Sequence, residues 1–154
     1  MGTPFKKVYE TFLGKIEQDE WNMATDIGYL EQDWFMLLKS AVNRFMFPRI
    51  SLEYDEEQQA LVEELTEAEI QVLAYFMRNE WLKRAAYSWT LIKQEYSTKD
   101  FQLTSQANHI DKLKELISMS DYECKHFINL YSRVTEEHKP INWASKFAGG
   151  RYGK

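Results

Sequence analysis

"LTEAEIQVLAYFMRNEWLKRAAYSWTLIKQEY", residues 65–96, decides how the rest of the chain is read. Its "TEAE" is a capping box, with Thr66 as the cap and Glu69 reaching back to it from three residues on. The stretch predicts one long helix ending near Tyr96. At 100° per residue, Ile70, Leu73, Met77, Trp81 and Ile92 fall broadly on one side, while Val72, Phe76, Ala86 and Trp89 spread over the others. A helix apolar nearly all round is buried on several sides. Partner helices of the same chain cover part of such a surface, but a small domain has little deep interior to offer the rest. The expectation is that a second chain covers what remains.

Upstream, Thr3 and Pro4 read as the cap and first position of a short amphipathic helix running to about residue 17, with Phe5, Val8, Tyr9, Phe12, Leu13 and Ile16 at helical spacing. A polar connector, "EQDEWNMATD", leads to a second helix from about Asp26. Its stripe is Ile27, Leu30, Trp34, Leu37, Leu38, Ala41, Val42 and Phe45, and Pro48 stops it. The period then changes. Ile50, Leu52 and Tyr54 alternate with Ser51 and Glu53, "DEEQ" reads as a turn, and "ALVEEL" reads as a returning strand or a short helical turn. An isolated hairpin is marginal in water, so this one must rest on helices or on another chain. Downstream, Thr104 or Ser105 caps a last helix with Ile110, Leu113, Leu116, Ile117, Cys124, Phe127, Ile128 and Tyr131 on its apolar side. "SDYE" at 120–123 offers a second capping box and so a point where the helix could break; the expectation is one helix, with at most a kink there.

The fold class that follows is mainly α: a small helical bundle with a long central helix, one short β-hairpin and an extended C-terminal tail. Residues 1–138 form the helical domain and residues 139–154 the tail. The 154 residues suit one domain, and 44% hydrophobic with 28% charged residues is a globular composition. Aromatic residues, at 15%, are plentiful for a helical core, and large aromatics favour interfaces. Net charge is −5, which argues against a nucleic-acid-binding surface over the whole molecule. A single cysteine rules out an intrachain disulfide and suits a reducing compartment. No run approaches the length of a membrane span, and the first residues lack the apolar core of a secretory signal and the pattern for myristoylation.

Charge is divided along the chain. Residues 50–69 hold 8 acidic and no basic residues, among them Glu53, Asp55, Glu56 and Glu57 on the hairpin. Residues 139–154 hold 4 basic and no acidic ones. Opposite charges at two places on one molecule suit a head-to-side contact between copies.

A search for chemistry returns little. Glu123 and His126 have the spacing found in di-iron helical bundles, but no second Glu-x-x-His accompanies them. Cys124 falls on the apolar side of its helix, away from His126, and reads as an inert buried thiol. No phosphate-binding glycine loop, nucleophile elbow or Cys-x-x-Cys occurs. Arg78, Lys83 and Arg84 interleave with Trp81, Tyr87 and Trp89, a mixture able to stack on bases but more economically read as a core helix with snorkelling cations. In the tail, Trp143 and Phe147 lie four residues apart with Arg151 and Tyr152 beyond, and aromatic anchors beside Arg are common docking residues. Trp34, Phe76, Trp81 and Trp89 are either core or subunit-interface aromatics. The expectation is a non-enzymatic chain without metal or cofactor.

The order of these elements, and the string "LTEAEIQVLAYFM" followed by "EWL", "KDF" and "SQANHIDKL", resembles the head-to-tail adaptor, or neck, proteins of tailed bacteriophages over roughly residues 3–133. The resemblance implies a virion protein whose copies form a ring, commonly of twelve, beneath the portal. Such a ring extends the DNA channel and gives the stopper or tail a platform. DNA then passes through the lumen without specific binding, and the C-terminal segment with Trp143, Phe147 and Arg151 reaches the portal or a neighbouring subunit. A second expectation, from another class, is an intracellular helical regulator that binds a single partner through the same aromatic surface.

Overall fold

The computed structural model describes residues 2–16, 27–95 and 103–133. These make β1 (Thr3–Pro4), α1 (Phe5–Leu13), α2 (Ile27–Arg44), β2 (Tyr54–Asp55), β3 (Ala60–Leu61), α3 (Glu67–Glu95) and α4 (Leu103–Arg133). The fold is mainly α, as the sequence predicts. The tail 139–154, the domain boundary before it and the connector at 17–26 lie outside the described residues.

The Glu69 half of the capping box at the start of α3 forms. Thr66 donates to Glu69 Oε2 from its backbone N–H, at 3.0 Å, and from its hydroxyl. Two acidic residues, Glu67 and Glu69, sit in the first turn, where the helix dipole favours them. Beyond it α3 is enclosed by α4, α2 and α1. Ile70, Leu73, Ala74 and Met77 are fully buried, and Val72, Phe76 and Leu82 nearly so. The apolar residues over 70–82 are therefore covered within the chain. That cover comes from α1 beside the two long helices α2 and α4.

The hairpin is present, and it belongs to a three-stranded antiparallel sheet of order β1-β3-β2. Tyr54 and Asp55 face Leu61 and Ala60. The Asp55 carboxylate accepts from the N–H of Glu57 (2.9 Å) and of Gln58 (3.1 Å), which folds the turn, and Gln59 closes it at φ 50°. On the other side of β3, Thr3 and Pro4 pair with Leu61 and Ala60. Thr3 is thus a strand residue and not a helix cap. Pro4 pushes it into extended backbone. Its hydroxyl then accepts from Leu65 N–H (2.7 Å) and donates to the Glu63 carbonyl (3.1 Å). The first N–H of α1, on Phe5, donates to the Gln59 carbonyl at 2.9 Å, so the turn of the hairpin positions α1.

Two boundaries differ from the sequence reading. Helix α1 closes at Leu13, earlier than residue 17, with Gly14 N–H bonded to the Glu10 carbonyl. Helix α4 begins at Leu103, which places Thr104 and Ser105 inside it. It also runs through 120–123 unbroken: Ser120 is buried, while Asp121 and Glu123 are drawn into ion pairs with other helices and cannot cap. One buried cluster joins Phe5, Val8 and Phe12 of α1, Leu37, Leu38 and Ala41 of α2, Leu61 of the sheet, Ile70, Leu73 and Met77 of α3, and Cys124 and Tyr131 of α4.

Candidate interaction surface

The end of α4 is fixed by a buried polar chain. Glu69 is 2% exposed, and its Oε1 accepts from the Tyr131 hydroxyl at 2.8 Å. The same hydroxyl accepts from the Arg49 backbone N–H at 2.7 Å. The Arg49 guanidinium lies 4.2 Å from the centre of the Tyr131 ring and donates to the Tyr131 carbonyl. Burial, reinforced by Glu69 and opposed by the Arg49 N–H, pushes the Tyr131 phenol up to about 12. Glu69 is legible in the sequence as a cap. Its second oxygen finds a partner 62 residues away, which no local pattern announces.

Three cations of α3 are spent on carboxylates. Arg78 pairs with Glu123 at 2.7 Å, Lys83 with Asp121 at 3.3 Å, and Arg84 with Asp33. Arg44 bonds Asn79, Glu80 and Asp121 together. Burial would raise the Asp121 carboxyl, but Lys83, Asn79 and Arg44 outweigh it and hold the group below the usual carboxylate range. This is the core helix of the economical reading, its cations paired between helices. The Glu123–His126 pair is broken up by the same network, since Glu123 serves Arg78 while His126 is exposed beside Tyr122 and Phe127. Among the described residues, no group of three or more His, Cys, Asp or Glu could hold a metal ion. Cys124 is buried, with Sγ 3.5 Å from the Tyr75 carbonyl, and burial pushes its thiol up.

Of the aromatics singled out by sequence, Phe76 is core, edge-on to Phe45 at 6.1 Å. Trp34 and Trp81 are half-buried and pack on the core, Trp34 with its ring 5.7 Å from Tyr9. Trp89 lies in α3 and its side chain is outside the described residues, as are Trp143, Phe147, Arg151 and Tyr152 altogether. The acidic hairpin divides by role. Asp55 builds the turn, Glu56 pairs with Lys39 at 3.0 Å, and Glu53 and Glu57 are exposed.

Surplus apolar surface remains on α3 at Tyr87, and more of it lies where the periodicity did not point. Helix α4 has an inward face, with Leu113, Ser120, Cys124 and Tyr131, and an outward stripe of Leu116, Met119, Tyr122 and Leu130. Tyr122 is 71% exposed. Leu116, expected on the inward side, belongs to the stripe: it sits roughly 40–80° of helical rotation away from the buried residues. At the end of α2, Met46 is 76% and Phe47 83% exposed. Two grooves flank Tyr131. One, of about 320 Å³, is walled by Met46, Phe47, Phe76, Cys124 and Ile128; the other, of about 440 Å³, by Ala68, Val72, Phe127 and Leu130. Composition gives the amount of apolar surface, but only the packing shows which part is left over.

No protein-family model, curated protein or solved structure matches the chain. Among the described residues no helix is long and apolar enough to cross a membrane.

Proposed function

We propose that the chain is a structural protein of a tailed-bacteriophage virion, a head-to-tail adaptor. Its copies, twelve as in the proteins its sequence resembles, close into a ring below the portal. The ring extends the DNA channel and carries the stopper or tail. One observation carries the reading: α4 remains apolar on its outward side after its inward side has filled the core. Exposed apolar groups set along one helix face mark a protein-binding surface. A ring uses such a face against a different face of the next copy, so that the contacts close. The exposed carboxylates Glu53 and Glu57 suit a conduit that must repel passing phosphate.

Electron microscopy of the negatively stained purified protein tests it. The reading expects rings with a central hole. Particles without rotational symmetry, including a one-to-one complex with a single partner, would favour the regulator instead. A second arm removes residues 139–154 and asks whether filled capsids still bind the protein. Binding unchanged by the truncation would remove the tail from the docking role.

A further inference from the structure

We infer that the contact between copies joins the outward side of α4 to the cleft between α1 and α2 of the next copy, with Arg133 entering that cleft and pairing with Glu31. The inference rests on the adaptor reading and deepens it by naming the two surfaces of the joint. The cleft has a volume of about 310 Å³. Phe5 and Tyr9 of α1 and Phe35 of α2 wall it, Phe5 and Phe35 with their rings stacked at 5.2 Å, and the exposed residues Glu31, Gln32 and Glu56 form its polar side. Helix α3 sets where this cleft lies. Helix α4 meets α3 at Tyr75 and Lys83, α1 meets it at Glu67 and Gln71, and α2 meets it at Glu80 and Arg84. At 100° per residue these three directions are roughly 100–140° apart, so the α1–α2 cleft is on the side of α3 away from α4. A joint between opposite sides of the molecule leaves one surface of each kind free at the ends of a series, and such a series can close into a ring.

Charge and chemistry match across the joint. Ion pairs take up Asp111, Lys114, Asp121 and Glu123 of α4. Among the described residues, α4 is left with Lys112, Lys125 and Arg133 exposed and unpaired, against one such carboxylate, Glu115. Arg133 lies one turn past Leu130 and roughly 20° of helical rotation from Tyr122, so it extends the outward stripe. In the cleft the balance is reversed, since its charged lining residues are Glu31 and Glu56. Lys39 holds Glu56 at 3.0 Å, and its Nζ also lies 5.1 Å from the centre of the Phe35 ring. That pair shows what this surface offers a cation: a carboxylate and a ring face together. Glu31 has no cation beside it among the described residues. Burial, reinforced by the Glu31 carboxylate, pushes the Tyr9 phenol up, which places that carboxylate by the aromatic wall. A guanidinium stacks on aromatic rings and binds a carboxylate through two N–H groups at once, so an arginine fits such a cleft better than a lysine.

Sedimentation velocity of Arg133→Glu, of Glu31→Arg and of their equimolar mixture tests the joint. Both positions are exposed, so unfolding midpoints should stay near the parent's. Each variant alone sets like charges face to face at every joint. The concentration needed for assembly is expected to rise by about tenfold or more. For Glu31→Arg this runs against net charge, which becomes less negative than −5 and would by itself favour association. Alternating in the mixture, the two variants form only parental or doubly reversed pairs, and assembly should return to near the parental concentration. A folding defect would not recover on mixing. Rings that form unaltered in either variant, or losses that mixing does not restore, overturn the inference and leave the adaptor reading standing. A parent that stays a single chain at every concentration removes that reading and the joint with it.

Discussion

At the scale of single residues, two side chains carry consequences out of proportion to their size. Tyr131 closes a chain of hydrogen bonds between α3, α4 and the connection after α2. Tyr131→Phe leaves a buried Glu69 oxygen without its donor and the Arg49 N–H without its acceptor. The expected loss is about 1–3 kcal/mol by urea unfolding at neutral pH. The sign with pH follows from the phenol. Its pKa rises from 10.0 in the unfolded chain to about 12 in the fold, so the fold favours the protonated form. That contribution is complete below pH 10 and is lost as pH climbs towards 12. Tyr131→Phe should therefore show a shallower alkaline decline than the parent. A decline of equal slope would assign the effect to other groups. The second residue is Gln59, whose φ of 50° an L side chain adopts at a cost on the order of 1 kcal/mol. Gln59→Gly should raise stability by up to about 1 kcal/mol, since the bond from Phe5 N–H to the residue 59 carbonyl is backbone and survives.

At the scale of elements, α2, α3 and α4 are tied at one crossing by Arg44, which reaches Asn79, Glu80 and Asp121. Arg44→Leu should cost roughly 2 kcal/mol by thermal or urea unfolding, chiefly because Asn79 is fully buried and its carbonyl oxygen loses its donor. Asp121 adds a pH signature. Its carboxyl is held below its unfolded value, so it stabilises the fold above that value and ceases to do so as pH falls through the lowered one. Asp121→Asn should flatten the acid limb of stability while Glu69→Gln, tested beside it, disturbs the Tyr131 chain at every pH. The helices were legible in the sequence because each repeats its apolar residues every three or four positions over several turns. The capping box at Thr66 was legible because both partners lie within four residues. Strand β1 was not, since two residues show no period and its partner, Leu61, is 58 residues on. The single course of α4 through "SDYE" was expected, but its cause was not legible: cations on α2 and α3 engage Asp121 and Glu123.

At the scale of the whole molecule, the sequence reading placed the excess apolar surface on the long helix, and the packing divides it differently. Over residues 70–82 helix α3 is largely covered, with α1, α2 and α4 against it. Among the described residues, large apolar side chains stay exposed on the outward side of α4, at Met46 and Phe47, and on α3 at Tyr87. Hydrophobic periodicity records that α4 has apolar residues on two sides but not which side its own chain claims, so Leu116 was assigned inward and Met119 and Tyr122 were passed over. The proposed ring contact rests on this row of large apolar side chains, since such rows mark protein-binding surfaces. Met119→Asp/Tyr122→Asp changes only exposed positions and should leave the unfolding midpoint nearly unchanged. Sedimentation velocity of the purified protein and of this double variant, from micromolar to near-millimolar concentration, tests the central claim most directly. The account predicts a closed species of about twelve times the 18.4 kDa chain mass for the parent and a single-chain species for the variant. A parent that sediments as one chain at every concentration, indistinguishable from the variant, would contradict it.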